Sequence, residues 1–250
     1  IKGLGQSLHI TLVPTLNGST FAVGTQAEFV KRLKEQGKKL APLTRDIHEW
    51  LKKKWLNKKC GFVFEKAQAV GLDYRWGVYP DVTASDTTFD GIFSATEGLI
   101  DPDIIKIKAG VIKATYMSSV GARKLPTMMT GALAERIRKD AYEYGATTKR
   151  PRDIAYLDIP ALKFFCRVGR LNSLILTHMD ISYKDYPIKV CTGYTMKGKS
   201  VEYRPDQAFL DTVSPKYVKL PSWNIEELRK AKTLKDLPVH AKNFLRFISK

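Results

Sequence analysis

The stretch LDIPALKFFCRVGRLNSLILT, residues 157–177, combines a helix and a strand in one short run. Asp158 is a favoured N-cap residue and Pro160 suits the first turn of a helix, so we predict a helix over 160–171. The apolar run at 173–177 predicts a strand directly after it. A helix that leads straight into a strand is typical of sheets with parallel strands.

The sequence on both sides of this stretch continues the alternation of strands and helices. The further predicted elements are strands at 61–64 and 107–116, a helix near 131–143, a hairpin over 187–204 that turns at Lys197-Gly198, and a closing helix over 237–249. Upstream, Thr25-Gln26-Ala27-Glu28 has the form of a capping box, and it opens two predicted helices that run to about residue 55. The predicted fold is therefore α/β, with a mostly parallel central sheet flanked by helices.

The predicted elements form one domain over 1–250 with three parts. These parts are a helical segment at 1–60, a ligand-binding core at 61–194, and a hairpin with closing helices at 195–250. Two long polar loops, 65–88 and 144–153, follow predicted elements of the core. Ligands of parallel sheets bind in loops beyond the carboxyl ends of the strands, so these two loops are the candidate site.

Composition limits the partners. The net charge of +17 favours polyanions such as phosphorylated small molecules, nucleic acid or an anionic membrane face. No apolar run approaches the ~20 residues that span a bilayer, and the three cysteines are far apart, so we expect a cytoplasmic protein with reduced thiols. The four histidines show no metal-ligand spacing, which predicts no metal site. The lysines of the first two helices are read as a solvated face rather than a nucleic-acid groove.

Each polar loop has two readings. Loop 65–88 carries amide, hydroxyl and carboxylate groups that could bind a nucleobase or phosphate, or could satisfy their own turns. Loop 144–153 sets Thr147 and Thr148 beside Lys149, Arg150 and Arg152. Because the guanidinium fork matches carboxylate and phosphate oxygens, this second loop is a candidate anion clamp, with a solvated basic turn as the alternative.

Taken in order, several segments resemble the adenylosuccinate synthetase family, whose enzymes use GTP to join aspartate to inosine monophosphate (IMP). The segments are FEKAQ at 64–68, VTAS at 82–85, IKA at 112–114, VGARK at 120–124, EYGATTKRPR at 143–152, LTHMD at 176–180 and IKVCTGY at 188–194. The family patterns are F-E-G-A-Q, V-T-S-S, V-K-A-Y-T-T-R-V-G-x-G-P, E-Y-G-A-T-T-G-R-P-R, L-T-K-L-D and I-K-I-C-T-G-Y. The resemblance implies part of a P-loop-like nucleotide ligase fold.

The resemblance also implies roles for matching positions. The implied contacts are Gln68 and Thr83 with the base and phosphate of IMP, Val120 with its ribose, Arg152 with both IMP and GTP, Thr147, Thr148 and Arg150 with aspartate, and His178 and Asp180 with the guanine of GTP. The implied cofactors are GTP and Mg²⁺, and the implied partners are purine nucleotides, L-aspartate and a second copy of the chain in a homodimer.

Departures from the family pattern restrict what is expected. The family's glycine-rich loop, G-Q-W-G-D-E-G-K-G-K, carries the catalytic Asp and is absent from the sequence, as is the nearby catalytic His. We therefore expect a partial member without the phosphate-binding portion and assign no catalytic residue. Within the matching segments, Arg123-Lys124 replaces Gly-Pro, Lys149 replaces Gly, and His178 stands at a Lys.

Two alternatives follow from these departures. The chain could be a non-catalytic relative that binds purine nucleotides, or a divergent ligase that acts on another purine monophosphate such as GMP or dGMP.

Overall fold

A computed structural model describes residues 12–14, 20–22, 24–121, 123–146 and 149–249. The chain divides into two units, Ile1–Phe62 and Val63–Lys250. All of the site residues predicted from the sequence belong to the second unit.

The first unit contains a short antiparallel strand pair and two helices. The strands are β1 (Leu12–Pro14) and β2 (Thr20–Ala22), and the helices are α1 (Gln26–Leu40) and α2 (Ile47–Trp55). The predicted capping box is confirmed, because the Thr25 hydroxyl accepts from the backbone N–H of Glu28 while the Glu28 carboxylate accepts from that of Thr25. Both predicted helices are therefore confirmed.

The strand predicted at 61–64 is wrong. These four residues form no strand, and the Val63 side chain is 96% exposed. The Phe62 ring instead packs edge-on against Trp55, with ring centroids 4.9 Å apart. An apolar run this short does not distinguish a buried strand from a segment whose aromatic ring packs on a nearby helix.

The second unit holds the remaining elements. In chain order they are α3 (Asp90–Ala95), β3 (Ala109–Lys113), β4 (Tyr116–Ser119), α4 (Ala132–Asp140), β5 (Asp153–Asp158), α5 (Ile159–Val168), β6 (Ser173–Thr177), β7 (Ile188–Met196), β8 (Lys199–Val201), α6 (Gln207–Leu210), β9 (Ser214–Leu220), α7 (Ile225–Lys230) and α8 (Val239–Ile248). The predicted strand at 173–177, the turn of the hairpin at Lys197-Gly198 and the closing helix are confirmed.

Two parallel pairings organise the sheets. β3 pairs with β6, and β5 pairs with β7, in both cases in parallel. Antiparallel partners extend the second pair, with β4 beside β5 and with β8 and β9 beside β7. The predicted α/β fold with flanking helices is confirmed. Sequence patterning did not predict β5 and β9.

The strand predicted over 107–116 is two strands in different sheets. β3 ends at Lys113 and β4 begins at Tyr116. Between them, the backbone N–H of Ala114 donates to Thr177 O (2.8 Å) and the Thr115 hydroxyl donates to Ile181 O (2.7 Å). These two bonds to the β6 segment redirect the chain, and a periodicity argument cannot detect them because both partners lie more than 60 residues away.

Asp158 connects the sheet to the core. As predicted, its carboxylate caps α5 by accepting from the backbone N–H of Ala161 (3.1 Å). Its neighbour Leu157 packs with Val190 of β7 and with Trp223 and Phe244 in the main buried cluster. The closing helix α8 is therefore anchored on the sheet through Phe244. None of the helices in the described ranges is long and apolar enough to cross a bilayer.

Candidate functional site

A buried carboxylate closes the first polar loop. The Asp73 side chain is fully buried and accepts from the backbone N–H groups of Thr87 (2.8 Å) and Arg75 (2.9 Å). Burial alone would raise the pKa of Asp73, but these bonds and the charge of Arg75 more than offset it, so the pKa lies below its ordinary value. The loop from 73 to 87 is thus closed by an ionised side chain.

Gly77 lies in a tightly packed part of this loop. A Cβ placed on it would lie 2.7 Å from the carbonyl oxygens of Asp73 and Gly71 and 2.8 Å from Val82. Because two of these atoms belong to the backbone, we expect Gly77→Ala to lower the free energy of unfolding by about 2 kcal/mol. Urea unfolding checks this, with Gly193→Ala as the control because a Cβ there meets nothing within 4 Å. Equal stabilities of the two variants would contradict the prediction.

Gln68 and Thr83 lie on the two limbs of the same loop. Gln68 is exposed and has a φ of 69°, a left-handed backbone conformation that residues other than glycine seldom adopt. The backbone N–H of Thr83 donates to Leu72 O (2.7 Å), and the Thr83 hydroxyl lies 3.3 Å from that of Ser85. Strained backbone of this kind clusters at ligand sites, which is consistent with the predicted role of Gln68.

Val120 follows β4 and its side chain is 43% exposed. In the β4–β5 register Ser119 lies opposite Asp153, so Val120 and Arg152 occupy the same end of this strand pair. The guanidinium of Arg123 connects this end to the first loop, because it donates to Gly71 O (2.6 Å) and to the Ser119 hydroxyl (3.0 Å).

Arg152 is held by a carboxylate in the interior. Its guanidinium donates to Glu143 (3.0 Å), which is only 2% exposed. The backbone N–H of Arg152 also donates to Glu143 O (2.9 Å), and Arg138 donates to Arg152 O (2.9 Å). Both the backbone and the head group of Arg152 are therefore fixed, as a preformed anion contact requires.

Glu143 carries two further partners. Lys113 at the end of β3 lies 2.5 Å from its carboxylate, and the Tyr116 hydroxyl donates to it (2.6 Å). Burial alone would raise the pKa of Glu143, but the bonds from Lys113, Tyr116 and Arg152 more than offset it, and the pKa lies below its ordinary value. Burial and the bond to Glu143 raise the pKa of Tyr116 well above its ordinary value, so the phenol is the donor.

The second polar loop projects from this anchored base. Tyr144 and Pro151 form an antiparallel bridge, and the backbone N–H of Gly145 donates to Arg150 O (2.8 Å). Arg150 is exposed near the turn, and Lys149 adopts a φ of 54°, which fits the glycine that the family pattern has at this position. Thr147 and Thr148, predicted aspartate contacts, lie outside the described residues.

His178 and Asp180 follow β6. His178 has a φ of 55°, and its ring lies 5.8 Å from that of Tyr116, edge to face. Asp180 is exposed and lines a cleft of ≈ 760 Å³, whose other lining residues include Lys184, Trp223 and Arg229.

Short contacts within the second unit connect three of the predicted site residues, Thr83, Arg152 and His178. Thr83 bonds to Leu72 beside Gly71, Arg123 bridges Gly71 to Ser119, and Ser119 pairs with Asp153 next to Arg152. From Arg152 the contacts continue through Glu143 and Tyr116 to His178. Thr83 in the first loop and Arg152 at the base of the second are thus linked by a short series of bonded or adjacent residues.

Sequence reasoning did not identify the residues that hold this arrangement together. Lys113 and Glu143 lie in the motifs and Tyr116 lies in the predicted strand 107–116, but the sequence did not predict their mutual contacts. The one available signal is that Glu143 is an acidic residue next to a cationic loop, which is consistent with a buried counter-ion for Arg152.

Side chains that bind metal ions are not clustered in the described ranges. Within these ranges, no three His, Cys, Asp or Glu side chains come together in a way that could hold a metal ion. We therefore derive no chemical step through a metal.

Comparison with solved structures finds a protein with a closely similar fold. This chain is similar to the adenylosuccinate synthetase of Plasmodium falciparum, solved as a fully ligated structure, with a TM-score of 0.79 and 28% sequence identity. The likeness covers 89% of this chain and 53% of that one.

The family model of adenylosuccinate synthetase matches residues 11–250, so this chain belongs to the adenylosuccinate synthetase family. It is 35% identical to the adenylosuccinate synthetase of Leuconostoc citreum over 216 residues, 86% of this chain and 49% of the relative. It is 39% identical to that of Lactobacillus acidophilus over 194 residues, 77% of this chain and 44% of the relative. The chain thus spans about half the length of the curated relatives it matches.

Proposed function

We propose that this chain forms the nucleotide- and amino-acid-binding part of a GTP-dependent ligase that joins L-aspartate to IMP. The observation that carries the proposal is the bonded series from Thr83 through Arg123, Ser119 and Arg152 to Glu143. This series supports a site in which a hydroxyl suited to a phosphate and a guanidinium suited to a carboxylate or phosphate belong to one connected region.

Each proposed contact has a physical basis. The amide of Gln68 can donate to and accept from a purine edge, and the hydroxyl of Thr83 can donate to a phosphate oxygen. Arg150 offers a planar fork for a carboxylate of aspartate. Thr147 and Thr148 belong to the same proposed aspartate contact, and Val120 would pack on the ribose.

Guanine of GTP is proposed to bind at His178 and Asp180. A carboxylate only accepts hydrogen bonds, so Asp180 matches the N–H edge of guanine. The cleft beside it, ≈ 760 Å³, is within the size range of small-molecule sites. A homodimer, a cytoplasmic location and Mg²⁺ with the phosphates of GTP belong to the same proposal and are supported by the family resemblance alone.

Titration of the 250-residue chain with IMP and with L-aspartate tests the proposal, with calorimetry as the measurement. We expect both to bind, and we expect Arg150→Leu to weaken aspartate binding at least about tenfold because a charge-assisted bond is lost. IMP binding should change little. Arg246→Leu, an exposed arginine on α8, is the matched control and should leave both affinities unchanged.

The same titration separates the alternatives. Tighter binding of GMP or dGMP than of IMP would favour a ligase for another purine monophosphate. Binding of IMP without aspartate would favour a non-catalytic nucleotide-binding relative. No binding of any purine monophosphate would contradict the proposal.

A further inference from the structure

Arg123 crosses from the turn after β4 to the first polar loop. Its Nε donates to the Ser119 hydroxyl (3.0 Å) and one terminal nitrogen donates to Gly71 O (2.6 Å). These two acceptors are separated by about fifty residues of sequence. The side chain is half-buried, and arginine keeps its charge in such surroundings.

The first polar loop and the turn after β4 also approach each other at a second point. A Cβ placed on Gly121, whose φ is +87°, would lie 2.9 Å from the Asp81 carboxylate. Where Arg123 bonds to Gly71, a Cβ on Gly71 would lie 3.0 Å from the Phe165 ring and 3.5 Å from the Arg123 guanidinium. The two loops are therefore close at Gly121 and Asp81 as well as at Arg123, and the charged fork is a polar connection between them.

The residues that form this connection depart from the family pattern. The family pattern has glycine at the position of Arg123 and arginine immediately before Val-Gly, where this chain has Ser119. This chain therefore has its guanidinium four residues after the position of the family's arginine, and that guanidinium donates to the serine at the family's arginine position.

From this geometry we infer that Arg123 is a positioning residue that holds the loop of Thr83 against the turn of Val120 and so sets the width of the nucleotide pocket. The inference rests on the proposed function, since Thr83 and Val120 are proposed IMP contacts. Thr83 depends on the loop position directly, because its N–H donates to the carbonyl of Leu72, next to Gly71.

Two measurements on the 250-residue chain test this role. In calorimetry, Arg123→Gln should weaken IMP binding about tenfold, while aspartate affinity changes less than about twofold. Arg123→Lys should fall between, because an ammonium lacks the fork that reaches both acceptors. In hydrogen exchange, the Thr83 amide should exchange faster in Arg123→Gln than in the wild type, and Arg246→Gln should change neither readout.

The outcomes separate the inference from the proposed function. If the wild type does not bind IMP, the function fails, and the exchange of the Thr83 amide alone decides the inference. Unchanged exchange at Thr83 in Arg123→Gln overturns it in every case. If the wild type binds IMP and Arg123→Gln binds equally well, the inference is overturned and the function stands. Equal losses for IMP and aspartate, with a lower unfolding midpoint, would show general destabilisation and also overturn it.

Discussion

Replacement of Glu143 by alanine is expected to lower the free energy of unfolding by about 3–5 kcal/mol. The carboxylate is 2% exposed, and Lys113 and Arg152 both pair with it while remaining only 24% and 33% exposed. Removing it leaves two partly buried cations close together without a counter-charge, and leaves the Tyr116 hydroxyl without its acceptor. Urea unfolding followed by circular dichroism measures the loss.

Two variants make the Glu143 prediction specific. Glu135→Ala removes an acidic residue that pairs with Arg138 at 2.5 Å but is 73% exposed, and it should cost less than about 1 kcal/mol. Glu143→Gln keeps an acceptor for Tyr116 while removing the charge, so it should fall between the two alanine variants. Equal stabilities of Glu143→Ala and Glu135→Ala would mean that the buried carboxylate does not hold this region together.

The Glu143 cluster also explains why part of the site was beyond sequence reasoning. Tyr116 and Glu143 are 27 residues apart, and Arg123 and Gly71 are 52 apart. Contacts at such separations leave no periodic signal, because periodicity reports only which side of its own element a residue faces. The motifs predicted candidate binding residues such as Arg152, whereas the counter-ion that fixes Arg152 emerged only from the fold.

Features that depend on neighbouring residues, such as helix caps, were easier to predict than contacts between distant residues. The capping box at Thr25 and the N-cap at Asp158 were both predicted correctly, because a cap depends on residues within one helical turn. The errors occurred where tertiary contacts decide. The segment 61–64 has an apolar run but no strand, and the chain between β3 and β4 is redirected by bonds to Thr177 and Ile181.

The carboxylate of Asp158 is 2% exposed and accepts from the backbone N–H of Ala161 and from the Tyr194 hydroxyl. Burial raises the pKa of Asp158 from 3.8 to about 6, although the two hydrogen bonds act in the opposite direction. The folded state therefore binds this proton more tightly than the unfolded state. Its contribution to stability is complete below the unfolded pKa and is lost as pH rises through the folded pKa.

Asp158→Asn removes this dependence while keeping an N-cap acceptor. Between about pH 4 and pH 7 the stability of the variant should therefore rise relative to the wild type by on the order of 3 kcal/mol. At any single pH, the difference in free energy of unfolding between Asp158→Asn and the wild type also depends on whether the new amide N–H groups find acceptors. The measured quantity is therefore the change of this difference with pH. Glu143 and Asp73 titrate alike in both proteins and cancel.

Urea unfolding at several pH values measures that change. Asp206→Asn is the matched control, because Asp206 also caps a helix, by accepting from Phe209 at 2.7 Å, but is exposed. Asp206→Asn shows the effect of replacing an N-cap carboxylate that is not buried. Any additional pH dependence in Asp158→Asn therefore comes from the burial of Asp158. A difference between wild type and Asp158→Asn that stays constant from pH 4 to pH 7 would mean that the buried carboxylate is ionised throughout, held by Tyr194 and the end of α5 rather than disfavoured by its surroundings.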